Sequence, residues 1–223
     1  MRAPNAAAGD CSGQGVTSVS SYVRKDRVYV AAKKAGYRSR AAVKLEDLDR
    51  RQRLLYAGAR VVDLGCWPGG WLQVAAARVG ANGRVVGVDL EPIEDLGIDN
   101  VSTIVGDVRD DAVLQRVREA IGGRADVLLS DMAPKLTGVK IADRERHLEL
   151  IEAAIACART LLGSDGRLAI KLFSGVEAEA TTRLNRFFSS VIKFRPPSSR
   201  KGSSEIYAIA SGVRDGATPA VSE

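Results

Sequence analysis

Lys171 stands in the run Ile170-Lys171-Leu172-Phe173, an apolar stretch of the kind that fills a buried strand. A lysine there is costly unless it is paired or has work to do. The ordinary alternative is a strand-end lysine whose ammonium reaches solvent. That alternative weakens because a carboxylate, Asp131, closes another apolar run, Ala-Asp-Val-Leu-Leu-Ser-Asp over 125–131. An amine and a carboxylate at neighbouring strand ends can take a proton from a hydroxyl, or hold the anion that forms as the proton leaves. The one histidine, His147, follows the charged string Asp143-Arg-Glu-Arg and reads as a solvated surface residue. Cys11, Cys66 and Cys157 form no Cys-x-x-Cys pair and no metal-ligand spacing, which fits a reducing compartment better than a disulfide scaffold.

A ligand loop precedes these residues. Asp63-Leu-Gly65-Cys66-Trp67-Pro68-Gly69-Gly70-Trp71 joins an apolar run to a helical pattern, and glycines in such a turn let backbone approach a ligand closely. The spacing G-x-x-x-G-G is not the dinucleotide pattern G-x-G-x-x-G. It better suits a ligand without phosphates, such as S-adenosylmethionine (AdoMet). Asp89 ends the next apolar run and can accept from a ribose diol. Asp107 follows a third and can accept from an adenine amino group. Singly, each reads as a helix cap or turn acid; their placement after successive strands favours ligand contact. Trp71, in the first turn of a helix, suits packing as well as a cofactor contact.

The elements that must carry these residues alternate. Strand-like runs occupy 60–64, 84–89, 101–105, 125–131 and 167–173, with a closing hairpin at 190–194 and 205–210. Helical patterns lie between, at 70–80, 111–121 and 143–162; in the last, Asp143 is the expected N-cap and Gly163 the stop. Near-continuous apolar strands separated by helices predict a mostly parallel sheet covered on both faces. Ligands of such sheets sit beyond the carboxyl ends of the strands, where Asp63, Asp89 and Asp131 all fall.

With 223 residues, 45% of them hydrophobic, the chain suits one domain, read here as 21–211. Segments 1–20 and 212–223 read as disordered tails. No apolar run is long enough for a membrane span, and no signal peptide is apparent, so the expected place is the cytoplasm. Charge is uneven. Residues 21–60 hold twelve basic and four acidic side chains, +8 against +6 for the whole chain. This basic segment, read as helical over 21–58, suits a nucleic-acid backbone, although most charge runs are merely solvated.

Five segments in order resemble the FtsJ/RrmJ family of ribose 2′-O-methyltransferases. They are Gly36-Tyr-Arg38-Ser-Arg40-Ala-Ala-Val-Lys44-Leu45, the glycine loop 63–71, Ser130-Asp-Met-Ala-Pro134, Lys171-Leu-Phe173, and Ser198-Ser-Arg200 leading to Ser204-Glu205-Ile-Tyr207. The resemblance implies a Rossmann-like class I methyltransferase fold, with seven strands of which the last is antiparallel. It implies a Lys-Asp-Lys-Glu tetrad, here Lys44, Asp131, Lys171 and Glu205. It implies AdoMet contacts from Gly65, Gly69, Gly70, Trp71, Asp89, Asp107 and Asp131, with S-adenosylhomocysteine as product and no metal. RNA contacts are expected from Arg38, Arg40, Lys44 and Arg200. The chain departs from the family pattern at Cys66-Trp67, where small residues are usual, at Val43, where an aromatic is common, and at Lys135.

Among family substrates, a uridine of large-subunit ribosomal RNA in the assembled subunit suits this single-domain chain best, acting as a monomer. Transfer RNA is the alternative substrate. A non-catalytic RNA-binding assembly factor, or a nucleotide-dependent oxidoreductase, are the alternative functions. Lys171 would act as general base or as a cation beside the developing alkoxide; the residues leave both open.

Overall fold

The computed structural model describes residues 27–199 and 205–214. The tail expected at 1–20 and the part of the expected 212–223 tail from 215 onward, together with Cys11 and Arg200, lie outside them. In chain order the elements are α1 (Arg27–Lys34), α2 (Ala41–Gln52), β1 (Arg60–Leu64), α3 (Gly70–Val79), β2 (Arg84–Asp89), β3 (Val101–Val105), α4 (Asp111–Ile121), β4 (Ala125–Ser130), α5 (Lys140–Leu161), β5 (Leu162–Phe173), α6 (Glu177–Leu184), β6 (Phe188–Phe194) and β7 (Glu205–Val213). Seven strands form one sheet in the order β3-β2-β1-β4-β5-β7-β6. The first five are mutually parallel, and β7 runs antiparallel to both β5 and β6. This is the sheet of class I methyltransferases.

Strand alternation divides the core. Val62, Leu64, Val86, Val88, Leu128 and Ile170 pack under α4, α5 and α6. Val61, Val85, Val127, Leu129, Ala169 and Ile209 pack under α2 and α3. Buried on both faces, the strands need no polar alternation, which is why they read as continuous apolar runs. In α5, Leu148, Ile151, Ile155 and Ala158 form the buried stripe. Each large aliphatic among them contributes about 1.5–3 kcal/mol by leaving water.

Element boundaries differ from the sequence reading at the start of α5 and the end of β7. Helix α5 begins at Lys140, with Val139 in the cap position. Asp143 lies inside its first turn and reaches back, accepting from Thr137 N and Oγ1 (both 2.7 Å) and Gly138 N (3.0 Å). It therefore closes the preceding loop instead of capping the helix. At the carboxyl end β7 continues to Val213, past the expected boundary at 211, and Arg214 N donates to Phe187 O (2.8 Å). No described helix is long and apolar enough to cross a membrane.

The basic segment is not one surface. Helix α2 starts near the carboxyl edge of the sheet with Lys44 and ends near the opposite edge, where Arg167 Nη1 donates to Gln52 O (3.4 Å) and Arg53 O (3.0 Å). Arg50, Arg51 and Arg53 thus stand at the far end from the strand-end acids. Arg60, at the start of β1, also lies there, donating its N–H to Asp126 (2.8 Å).

Candidate active site

The parallel strands deliver Asp89 and, just beyond their ends, Gly65, Asp107 and Asp131 to one edge. Because β7 runs the other way, its first residue, Glu205, arrives at that same edge opposite Phe173, with Tyr207 opposite Lys171. Direct cross-strand partners share a face, and alternation from Ala169 and Ile209 puts Lys171 and Tyr207 on the face covered by α2 and α3. Helix α2 covers this end of that face and brings in Lys44.

Four charges assemble there. Lys44 Nζ lies 2.6 Å from Glu205 Oε2. Lys171 Nζ lies 3.1 Å from Asp131 Oδ1, 3.1 Å from Asp131 O and 3.9 Å from Glu205 Oε1. Both lysines are buried. Lysines so placed persist only when paired, and removing one partner of such a pair costs about 3–5 kcal/mol. All four residues expected as a tetrad are therefore together.

A fifth residue belongs with them. Tyr207 is fully buried, and its hydroxyl donates to Asp131 Oδ1 (2.8 Å), the oxygen that Lys171 also approaches. Burial first, and then the Asp131 charge, push its phenol well above the usual range, so it remains a donor. The charge of Arg40 acts on Tyr207 in the opposite sense. Only the cross-strand register could have singled out Tyr207 as more than a core aromatic.

Next to the tetrad, under β1, β2 and β4, lies a cavity of about 230 Å³, walled by Gly65, Asp89, Gly106, Asp107, Asp131 and Met132 among others. Gly65 has φ +76°, and a Cβ there would stand 2.7 Å from Met132 Cγ, so only glycine leaves this wall unstrained. Asp89 holds the loop by accepting from Trp67 N (2.8 Å) and Glu91 N (3.0 Å). Asp107 is met by the Arg109 guanidinium, with Nε at 2.9 Å and Nη2 at 2.5 Å. Hydrogen bonds from Arg109 hold its carboxyl below the usual range. Asp107 is thus an acid paired with Arg109 on the cavity wall. Beneath the loop, Asp63 is fully buried, and neither carboxylate oxygen has a partner among the described residues. Burial, then the charges of Asp131 and Asp89, push it well above the carboxylate range.

Other expected contacts find protein partners. Gly69 packs toward Arg38 and Leu96, and Gly70 lies so near Ser39 that a Cβ would stand 2.3 Å from its Oγ. Trp71 is buried; its Nε1 donates to Ala41 O (2.8 Å), and its ring lies 5.8 Å from that of Tyr207. These three also fasten α3 to the segment around α2. Arg38, expected among the RNA contacts, is engaged within the protein. Its terminal nitrogens donate to Glu94 O (2.5 Å) and Asp95 O (2.6 Å), so it clips the loop after β2 to the glycine turn. Trp67, the departure from the family pattern, faces solvent at 60% exposure and is not part of the cavity wall.

His147 is the clearest correction. It is 2% exposed, not solvated. Its Nε2 accepts from Phe173 N (3.3 Å), and its ring lies 4.6 Å from the Phe173 ring. Burial, then the charge of Lys171, push it down to about 4.

A model of the FtsJ-like methyltransferase family matches residues 37–213. Ribosomal RNA large subunit methyltransferase E of Halobacterium salinarum is 46% identical over 188 residues, which is 83% of this chain and 73% of that protein. The protein of the same name from Methanoculleus marisnigri is 45% identical, over 85% of this chain and 92% of its own length. Among solved structures, a ribosomal RNA methyltransferase of Plasmodium falciparum superposes with TM-score 0.69 at 29% identity, over 79% of this chain and 98% of that one. Aeropyrum pernix fibrillarin, solved with bound AdoMet, shares the fold with TM-score 0.56 at 19% identity, over 78% of this chain and 75% of that one.

Proposed function

The chain belongs to the FtsJ-like methyltransferase family, and on that premise we propose that it methylates the ribose 2′-oxygen of a uridine in large-subunit ribosomal RNA, using AdoMet. The observation that carries the reading is the convergence of Lys44, Asp131, Lys171 and Glu205 beside the strand-end cavity. The assembled large subunit is the proposed substrate and the cytoplasm the proposed place, with the protein acting as a monomer.

The cavity suits AdoMet by its chemistry. Its wall at Gly65 has no room for a side chain, and an unpartnered acid, Asp63, underlies the loop, with Asp89, Asp107 and Asp131 around the space. Asp131 and Asp107 already face Lys171 and Arg109, so Asp89 is the acid left to receive a donor from the ligand. Asp89 would hold the ribose diol. Asp107 retains lone pairs beside Arg109 for an amino group. When bound, AdoMet supplies a methyl group on a positively charged sulfur.

The protein's part is alignment and proton management. Tyr207 and Lys171 fix the Asp131 carboxylate from two sides. Lys44, held by Glu205, borders the place where the target ribose enters. Lys171 meets the 2′-oxygen as amine or ammonium, and the pH dependence of kcat distinguishes the two. A base gives a rate that rises with pH to a plateau. A required cation gives a rate that falls as the ammonium titrates.

The test is methyl transfer from labelled AdoMet to intact large subunits, free ribosomal RNA and transfer RNA from cells lacking the protein. One labelled uridine in the large-subunit RNA is expected. Label in transfer RNA would overturn the substrate. Absence of label with AdoMet binding intact would indicate a non-catalytic assembly factor.

A further inference from the structure

We propose that His147 is a positioning residue for the reaction: its Nε2 anchors the end of β5 where β4 has stopped, and so sets Lys171 and Glu205. Strand β4 ends at Ser130, opposite Ile170, three residues short of Phe173. On that side no described strand pairs with Phe173, and its N–H donates instead to His147 Nε2 (3.3 Å). The gap is the edge at which the reaction is proposed to occur.

Phe173 transmits the anchor in two ways. Its backbone faces Glu205 across the β5–β7 ladder, so its position sets where β7 begins. Its ring lies 4.6 Å from the His147 ring, and the Lys171 ammonium lies 5.6 Å from its centroid. A shift of this one residue moves both a tetrad lysine and a tetrad glutamate.

The tautomer supports the assignment. An Nε2 that accepts a hydrogen bond carries no proton, so the ring proton sits on Nδ1. Nδ1 is buried and has no partner among the described residues. An aliphatic residue would fill this space without leaving a buried N–H unpaired. The nitrogen that is partnered is the one that holds Phe173 N. The depressed pKa keeps that nitrogen an acceptor through the neutral range.

His147→Leu removes the acceptor and keeps an apolar filling. His147→Gln offers an amide oxygen near the position of Nε2. In wild type the Phe173 amide is expected to be protected from hydrogen exchange. In His147→Leu that protection falls at least about tenfold, and kcat falls about tenfold or more with KM for AdoMet unchanged. His147→Gln restores both, and it also serves if the leucine variant does not fold. Equal Phe173 protection in wild type and His147→Leu would overturn the proposal, and so would full activity once protection is lost. The activity readout rests on the proposed methyl transfer. The exchange readout does not, so a wild-type protein without methyl transfer would refute that function while exchange still decides the anchor.

Discussion

The two halves of the strand-end edge are built on opposite principles. In the half formed by β4, β5, β7 and α2, the described charges are already matched: Lys44 with Glu205, and Lys171 with Asp131, with Tyr207 donating to Asp131. In the half formed by β1, β2 and β3, Asp107 is paired with Arg109, but among the described residues Asp63 is buried without a partner and Asp89 accepts only from backbone N–H groups of its own loops. The first half is organised before any ligand arrives, as a site that stabilises developing charge must be. The second carries uncompensated acid and suits a cationic ligand. Catalytic power and ligand affinity therefore depend on different residues, and substitutions should separate them.

The largest separation is expected at Lys171. Lys171→Ala should lower kcat by about a thousandfold or more and leave AdoMet affinity within a fewfold, read by calorimetry beside single-turnover kinetics. Loss of AdoMet binding in step with kcat would erase the division. On the other side, Asp89→Ala should weaken AdoMet by about tenfold to a hundredfold, as expected for losing hydrogen bonds to a charged acceptor. Its kcat at saturating AdoMet should change far less.

Asp63 and His147 sharpen the contrast through pH. Asp63 has a raised folded-state pKa, so its stabilising contribution is full below the ordinary carboxylate value and is lost as pH rises from there through the raised folded-state value. Asp63→Asn should flatten that decline in chemical denaturation of the ligand-free protein and make it more stable at neutral pH. His147 is lowered from 6.5 to about 4, so stability is full above 6.5 and falls as pH drops toward 4. His147→Leu should remove that acid-side slope. The smallest effect belongs to the far end of α2. Arg50→Ser with Arg53→Ser should change the salt dependence of RNA binding by less than about one phosphate contact. A larger change would restore the single basic face that the fold divides.

Much of this was legible in the sequence because strands buried on both faces advertise themselves. Asp63, Asp89 and Asp131 each close an apolar run, and the edge they mark is where the structure puts them. Lys171 was conspicuous for the same reason, as a charge inside such a run. Residues whose meaning depends on long-range register were not legible. Tyr207 looks like any core aromatic until β7 is paired antiparallel to β5. Arg38 belongs to a basic segment, yet its partners are carbonyls 56 and 57 residues away. His147 follows a charged string that hides it, and nothing local shows that the end of β5 passes over the first turns of α5. The basic segment misled because charge was counted along the chain, whereas α2 crosses from one edge of the sheet to the other.

The most direct measurement is the position of the transferred methyl group in large subunits treated with wild-type protein or with Lys171→Ala. One 2′-O-methyluridine with the wild type, and none with a variant that still binds AdoMet, is the predicted result. A methyl group on a base, or equal ribose methylation by both proteins, would contradict it.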